Sequence, residues 1–330
     1  MTETPHWLEL SNSNGMVVRL VDVGASIASI RVPVVGKMRE VVVGSDTRDD
    51  YLSNPAFLGA NVGRFANRIA GGQFAIKEQS FQLSINQAPN HLHGAGQLSH
   101  STWQLLQYSA HSAVYEFKSN DGDEGYPGNL QVQVHYELGD DNDLTISYEA
   151  HVDKPCPLNL TNHSYFNLDV EHGTVHQHQL KIAADRYLPV RSDGIPEAHL
   201  EAVEHTNFDF RTFKAVGAVL LADEQQKRVK GYDHSFMIAP SDNNTPAAQV
   251  LSADGKVCLS VYTSKPALHL YTGNYLGGVP TRTGEGVDYQ GIALETQFLP
   301  DAPNRNWPHQ TCILQPSEVY KYATRFQFSV

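Results

Sequence analysis

The segment LQVQVHYELGDDNDLTISYEAHV, residues 130–152, alternates apolar and polar side chains with a period of two. Leu130, Val132, Val134, Tyr136 and Leu138 fall on one side; beyond GDDND, Leu144, Ile146, Tyr148, Ala150 and Val152 do the same. Successive side chains of a strand point to opposite faces, so the pattern predicts a β-hairpin with one buried face. Similar strand pairs are predicted at 16–32, 73–86, 102–118 and 257–272, each bounded by Gly, Asn, Asp or Pro. Helical periodicity is scarce, and short helices are predicted only over 47–53 and over Phe213–Lys227. Many short strands between regular turn signals indicate an all-β, antiparallel β-sandwich rather than alternating strands and helices. No internal repeat, low-complexity tract or linker interrupts the chain, and SDNNTPAAQ (241–249) reads as a loop. Residues 1–330 therefore read as one large domain.

Composition excludes several partners. The net charge is -12, so nothing in bulk neutralises phosphates, and neither nucleic acid nor an anionic membrane surface is an expected partner. No run approaches the ~20 apolar residues of a membrane span, and MTETPHWLELSNSNG lacks the basic and apolar regions of a secretory leader. Cys156, Cys258 and Cys312 are sparse and form no C-x-x-C pair, which suits free thiols in a reducing compartment. A cytoplasmic location is expected, and the glycosylation-type tripeptides at Asn159, Asn162 and Asn243 then read as chance matches.

Five stretches place polar side chains in strand-like surroundings. In NVGRFANRIAGG (61–72), Arg64 and Arg68 serve either a structural carboxylate or substrate oxygens; the glycines do not make a phosphate loop. In NHLHG (90–94), His91 and His93 point the same way along an extended chain, a spacing compatible with a metal but also with hydrogen bonding or a structural role. In NLTNHSYFNL (159–168), His163, Tyr165 and Asn167 share one face, and Phe166 and Leu168 the other. GYDHSF (231–236) sets Asp233 beside a turn. In ALETQFLPDAPN (293–304), Glu295 shares a face with Ala293 and Gln297, opposite Ile292 and Leu294, at the end of an apolar strand. A carboxyl held there is rigid and partly desolvated, which raises its pKa.

The motifs GRFANRI, NHLHG, DGDEGYPGNL, NLTNHSYFNL, DHSF, YTGN and ETQFLPDAPN, in this order from about residue 15 to the C-terminus, resemble the aldose 1-epimerases, or galactose mutarotases. The resemblance implies a large β-sandwich and an enzyme, an isomerase, that interconverts the α- and β-anomers of D-galactose or D-glucose. It implies Glu295 as general base and His163 as general acid, with His93 in the same catalytic group. It further implies that Arg68, His93 and Asp233 contact the sugar, with Asn67 and Tyr165 at flanking positions. Two departures stand out: His269 in ALHLYTGN occupies a position where the family usually has a sugar-contacting glutamine, and Ala95 replaces the second glycine of HGG.

Anomer exchange needs a base for the anomeric hydroxyl and an acid for the ring oxygen, followed by rotation and reclosure on the other carbonyl face. It involves no redox or phosphoryl step, so no cofactor and no metal is expected; the partner is a monosaccharide, bound by a monomer or homodimer. General acid and base each supply ~10²–10⁴-fold, enough without covalent catalysis. The alternatives are a glycosidase using Asp233 and Glu295, a sugar-phosphate epimerase, and a non-catalytic carbohydrate-binding sandwich.

Overall fold

The structure, a computed structural model, describes residues 5–238, 245–308 and 310–330. Residues 241–244 of the expected loop, and with them the Asn243 tripeptide, lie outside the described residues; the loop ends sooner than expected, because Ala248–Leu251 is a strand.

Two large sheets dominate, and every pairing within them is antiparallel. One has nine strands, in the order Gln104–Tyr108, Ser112–Ser119, Leu130–Gly139, Asp143–Val152, Tyr320–Ser329, Cys258–Thr263, Ala248–Leu251, Gln179–Ile182 and Lys214–Ala215. The other has seven: Glu201–Ala202, Arg186–Leu188, Asp233–Met237, Ala267–Tyr271, Ile292–Gln297, Tyr165–Phe166 and Val42–Val43. A four-stranded meander, Trp7–Ser11 to Lys37–Glu40, adds a further layer whose apolar side chains join the same buried cluster.

The 130–152 hairpin forms in the expected register, Leu138 opposite Leu144, with its alternating apolar side chains buried. The pairs predicted at 16–32, 73–86 and 102–118 are hairpins too. The pair at 257–272 is not. Cys258–Thr263 joins the nine-stranded sheet, whereas Ala267–Tyr271 joins the seven-stranded one. Pro266 helps to carry the chain between layers, and Lys265 is buried at the crossing, its Nζ donating to Tyr320 Oη at 2.6 Å.

The helix expected at 47–53 spans Arg48–Ser53. The one expected over 213–227 shrinks to Glu224–Arg228. Lys214–Ala215 is taken by the sheet edge, Leu221 turns the chain at φ +59°, and Asp223 caps the remnant by accepting from Gln226 N at 3.0 Å.

The core lies between the two large sheets. Phe166 meets Phe326 with ring centroids 5.0 Å apart, and the Thr296 and Thr324 hydroxyls hydrogen-bond across the gap. On strand Ile292–Gln297 the even-numbered residues therefore face the core. Fully burying a Leu or Ile side chain there stabilises by ~1.5–3 kcal/mol. The odd-numbered residues, Ala293, Glu295 and Gln297, face the other way, towards the site.

Candidate active site

Parity and register build the site. Asp233 pairs with Tyr271, Ser235 with His269, His269 with Glu295, and Tyr271 with Ala293, so neighbouring strands present Asp233, His269 and Glu295 on one face. Tyr165, opposite Ala293, adds its ring beside them. Loops close the other sides, leaving a cavity of about 260 Å³. Its lining includes Asn67, Arg68, His93, His163, Tyr165, Asp233, His269 and Glu295. Drug-sized ligands occupy ~300–1,000 Å³, so this cavity suits one small polar molecule.

His163 leaves strand Thr161–Asn162 with its main chain pinned on both sides: its N–H donates to Ala60 O at 2.8 Å, and its O accepts from Gly59 N at 3.0 Å. Its Nε2 lies 3.6 Å from Glu295 Oε1, close but too far for a hydrogen bond. Both residues are buried, and His163 Nδ1 and Glu295 Oε2 have no hydrogen-bond partner among the described residues. Burial lowers the His163 pKa to about 4. Burial, aided by the negative Asp233 nearby, pushes the Glu295 carboxyl well above its ordinary value. Geometry alone would suggest an ion pair. Desolvation favours instead a carboxylic acid beside a neutral imidazole, a pair that carries one proton between two sites.

Asp233 behaves in the opposite way. Burial would raise its pKa, but the Arg68 guanidinium and His269 outweigh that and hold it well below the usual carboxylate range. His269 Nε2 donates to Asp233 Oδ1 at 2.7 Å, and Arg68 Nη2 lies 3.4 Å from Oδ2. Arg68 is steadied by Gln87, whose Oε1 accepts from Nε at 2.7 Å.

Asn67 and His93 sit in turns at positive φ, +69° and +52°. Their main chains interlock: His93 N donates to Asn67 O at 3.2 Å, and Asn67 N donates to His93 Nδ1 at 3.1 Å. A backbone amide can only donate, so Nδ1 is an acceptor and the imidazole proton sits on Nε2. His93, His163 and Glu295 bring ligand-type atoms within 4.8 Å of one another. An Nε2–H cannot ligate a cation, however, so His93 serves here as a hydrogen-bond donor. Burial also keeps its pKa well below the ordinary value, so the ring stays neutral.

The sequence matches the family model described as Aldose 1-epimerase over residues 6–327. The aldose 1-epimerase of Escherichia coli strain K12 is 47% identical over 326 residues, covering 97% of this chain and 94% of that one. The chain belongs to the aldose 1-epimerase family. Galactose mutarotase of Bos taurus is 37% identical over 96% of this chain and 92% of its own length. The crystal structure of galactose 1-epimerase from Lactobacillus acidophilus superposes with a TM-score of 0.86, at 32% identity, over 97% of this chain and 93% of that one. The large sandwich expected from the alternation is thus the family's fold.

All eight expected residues line this one cavity. Others that the sequence reading singled out do not. His91 and His93 do not point the same way, because strand His91–Leu92 ends before His93. His91 is a structural residue: Nδ1–H donates to Ser84 O at 2.7 Å, and Nε2 accepts from Tyr126 Oη at 2.9 Å. Arg64 is fully buried and satisfied by Ser119 Oγ and the carbonyls of Asn120, Pro127 and Gly128. Asn167, though in parity with Tyr165, bonds the carbonyls of Gly173 and Gln290.

Phe57 was missed. It stands at φ +57° in a loop clipped by Asn54, with its ring centroid 4.9 Å from that of His93 and 6.1 Å from that of His163. Nothing in NPAFLG marks it. Tyr271 also lines the cavity, and its signal was legible: it belongs to YTGN and shares parity with His269.

Proposed function

We propose that this cavity binds an aldohexose as its pyranose and that Glu295 and His163 exchange protons with it, interconverting the α- and β-anomers of D-galactose and D-glucose. The activity is that of an aldose 1-epimerase, an isomerase. The observation that carries the residue assignment is the approach of His163 Nε2 to Glu295 Oε1, 3.6 Å apart at the buried wall of a monosaccharide-sized cavity. These side chains lie on different elements, and their facing atoms are near enough to each other to reach, side by side, the two oxygens attached to C1 of one sugar.

The pair's single proton has two placements. In the empty cavity it rests on Glu295. A sugar hydroxyl donating to the carboxylate favours its transfer to His163, because hydrogen bonds to the charged form stabilise it. Glu295 then removes the anomeric proton while His163 protonates the ring oxygen, and the ring opens. That step leaves Glu295 protonated and His163 neutral, the forms burial prefers. After rotation about C1–C2 the same two groups reverse roles and close the ring. Asp233 and Arg68 hold hydroxyls as fixed acceptor and donor, Asn67 and Tyr165 border the sugar, and the His93 Nε2–H donates to an oxygen near C1.

Among the described residues, Arg68 is the one Lys or Arg lining the cavity, and its guanidinium already faces Gln87 and Asp233. A phosphorylated sugar is therefore a poor fit. A cytoplasmic location suits the three free cysteines, thiols that persist in a reducing compartment.

Polarimetry on freshly dissolved α-D-galactose and α-D-glucose tests the reading. The protein should accelerate the approach to equilibrium rotation; an unchanged spontaneous rate for both sugars would overturn it.

A further inference from the structure

We propose that Ser235, His269 and Asp233 form one positioning chain, in which Ser235 and His269 fix the angle of the Asp233 carboxylate to the bound sugar. The inference rests on the sugar-binding role given to Asp233 above.

Ser235 does not line the cavity and is 1% exposed. It lies two residues beyond Asp233 on the same strand and directly opposite His269 on the next, so the three side chains project from one face. The proton positions follow from the partners. The Asp233 carboxylate has no proton to give, so His269 Nε2–H donates to Oδ1 at 2.7 Å. With the ring proton on Nε2, Nδ1 takes the Ser235 hydroxyl proton as acceptor at 2.8 Å.

A ring held by Nε2 alone could tilt about its Cβ–Cγ bond. The second bond, at the opposite corner of a rigid imidazole, removes that freedom. Oδ1 is thereby held from one side by His269 and Oδ2 faces Arg68 on the other, while each oxygen keeps a lone pair for a sugar hydroxyl. Histidine stands here in place of the glutamine that the family resemblance leads one to expect. A glutamine side chain bends at each carbon, whereas the ring couples the two bonds, so displacing one displaces the other.

The Ser–His–Asp order is not a nucleophilic triad. The Ser235 hydroxyl lies behind His269, away from the cavity, and reaches no substrate atom. Ser235 and His269 are positioning residues, and their effect should fall on binding rather than on proton transfer.

The test is a double-mutant cycle read as KM and kcat for α-D-galactose by polarimetry, with thermal melts recorded alongside. Ser235→Ala removes one neutral hydrogen bond and should raise KM about 3- to 10-fold with kcat little changed. His269→Leu removes the charge-assisted bond as well and should raise KM about 10- to 100-fold. In the His269→Leu background, Ser235→Ala should add nothing further, because its effect passes through the ring. Ser235→Thr keeps the hydroxyl and should restore the wild-type KM. If Ser235→Ala does not fold, Ser235→Cys, of similar volume but a weak donor, carries the same cycle.

An unchanged KM in Ser235→Ala, or the same multiplicative rise with and without His269, would overturn the chain. Asp233→Ala separates the two levels. If it leaves KM unaltered, the sugar-binding role of Asp233 fails; if it raises KM while Ser235 and His269 act independently, only the positioning chain fails.

Discussion

Gly194 has no polar side chain and belongs to none of the sequence motifs, yet its backbone packs against the guanidinium of Arg68, which is proposed to hold a sugar hydroxyl. Its φ is +74°, and a Cβ built there would lie 2.5 Å from Arg68 Cζ and 2.6 Å from Nε. Ordinary contact begins at 3.4 Å, so Gly194→Ala must displace the guanidinium by about 1 Å. The Nε–Gln87 bond, now 2.7 Å, would stretch beyond hydrogen-bond range, and Nη2, already 3.4 Å from Asp233, would lose its place. A hydrogen bond to a charged group contributes about 1.5–3 kcal/mol, so losing the Arg68 contact to the sugar should raise KM about 10- to 150-fold. Glu295 and His163 are untouched, so kcat should stay within a few-fold of wild type.

The positive φ has its own cost, about 1–2 kcal/mol of folding stability for an L-residue. Gly255→Ala is the control, because its φ is +69° and no atom of the described residues lies within 4 Å of the added Cβ. Initial mutarotation rates by polarimetry give KM, and thermal melts give stability. Gly194→Ala should lose at least as much stability as Gly255→Ala, since it also disturbs the Arg68 bonds, and only Gly194→Ala should change KM. Equal KM values in the two variants would refute the claim that backbone at 194 holds Arg68 in its binding position.

Glu295→Gln and His163→Asn should each slow mutarotation by about 10²–10⁴-fold, and the double variant should be little worse than either single one, since the two act on one proton. In the wild type, kcat/KM should fall below about pH 4 as the pair takes a second proton, and again at high pH as Glu295 loses its own. An acid limb centred near 6.5 in the pH–rate profile would contradict the burial argument. His163 titrates at about 4 folded and near 6.5 unfolded, so between these values the unfolded chain binds more protons. About 3 kcal/mol of stability should therefore be present above pH 6.5 and lost towards pH 4, and His163→Asn should flatten that slope in denaturant titrations. Glu295 has the opposite sign: its folded pKa is raised, so its contribution is full below the unfolded value and lost as pH rises through the folded one. Glu295→Gln should then melt higher than wild type at alkaline pH and show less difference in acid.

Alternation along 130–152 and 292–297 was enough to assign strands, faces and fold class, because side-chain direction in a strand is a local consequence of backbone geometry. The same parity put Glu295 on the face away from Leu294 before any partner was known. Motif order then identified the family and pointed to eight of the residues that line the cavity. What the chain does not encode locally is pairing between distant segments. The 257–272 pair looked like the other hairpins and split between two sheets, because strand partners are chosen by the whole core. His91 and His93 looked equivalent until a turn at positive φ sent one into Tyr126 and the other into the cavity. Phe57 and Gly194 carry no signal in their own neighbourhoods, whereas Ser235 lies in DHSF and shares parity with Asp233.

The amino-acid order thus determined the alternating faces, the family and the kinds of side chain available for proton transfer. The raised pKa of Glu295 was already expected from its strand end, but only the tertiary structure decided the other states, a carboxylate at Asp233 and a donor Nε2–H at His93. Protonation depends on desolvation and on neighbouring charge, and both are set by what folds over a residue rather than by what precedes it along the chain.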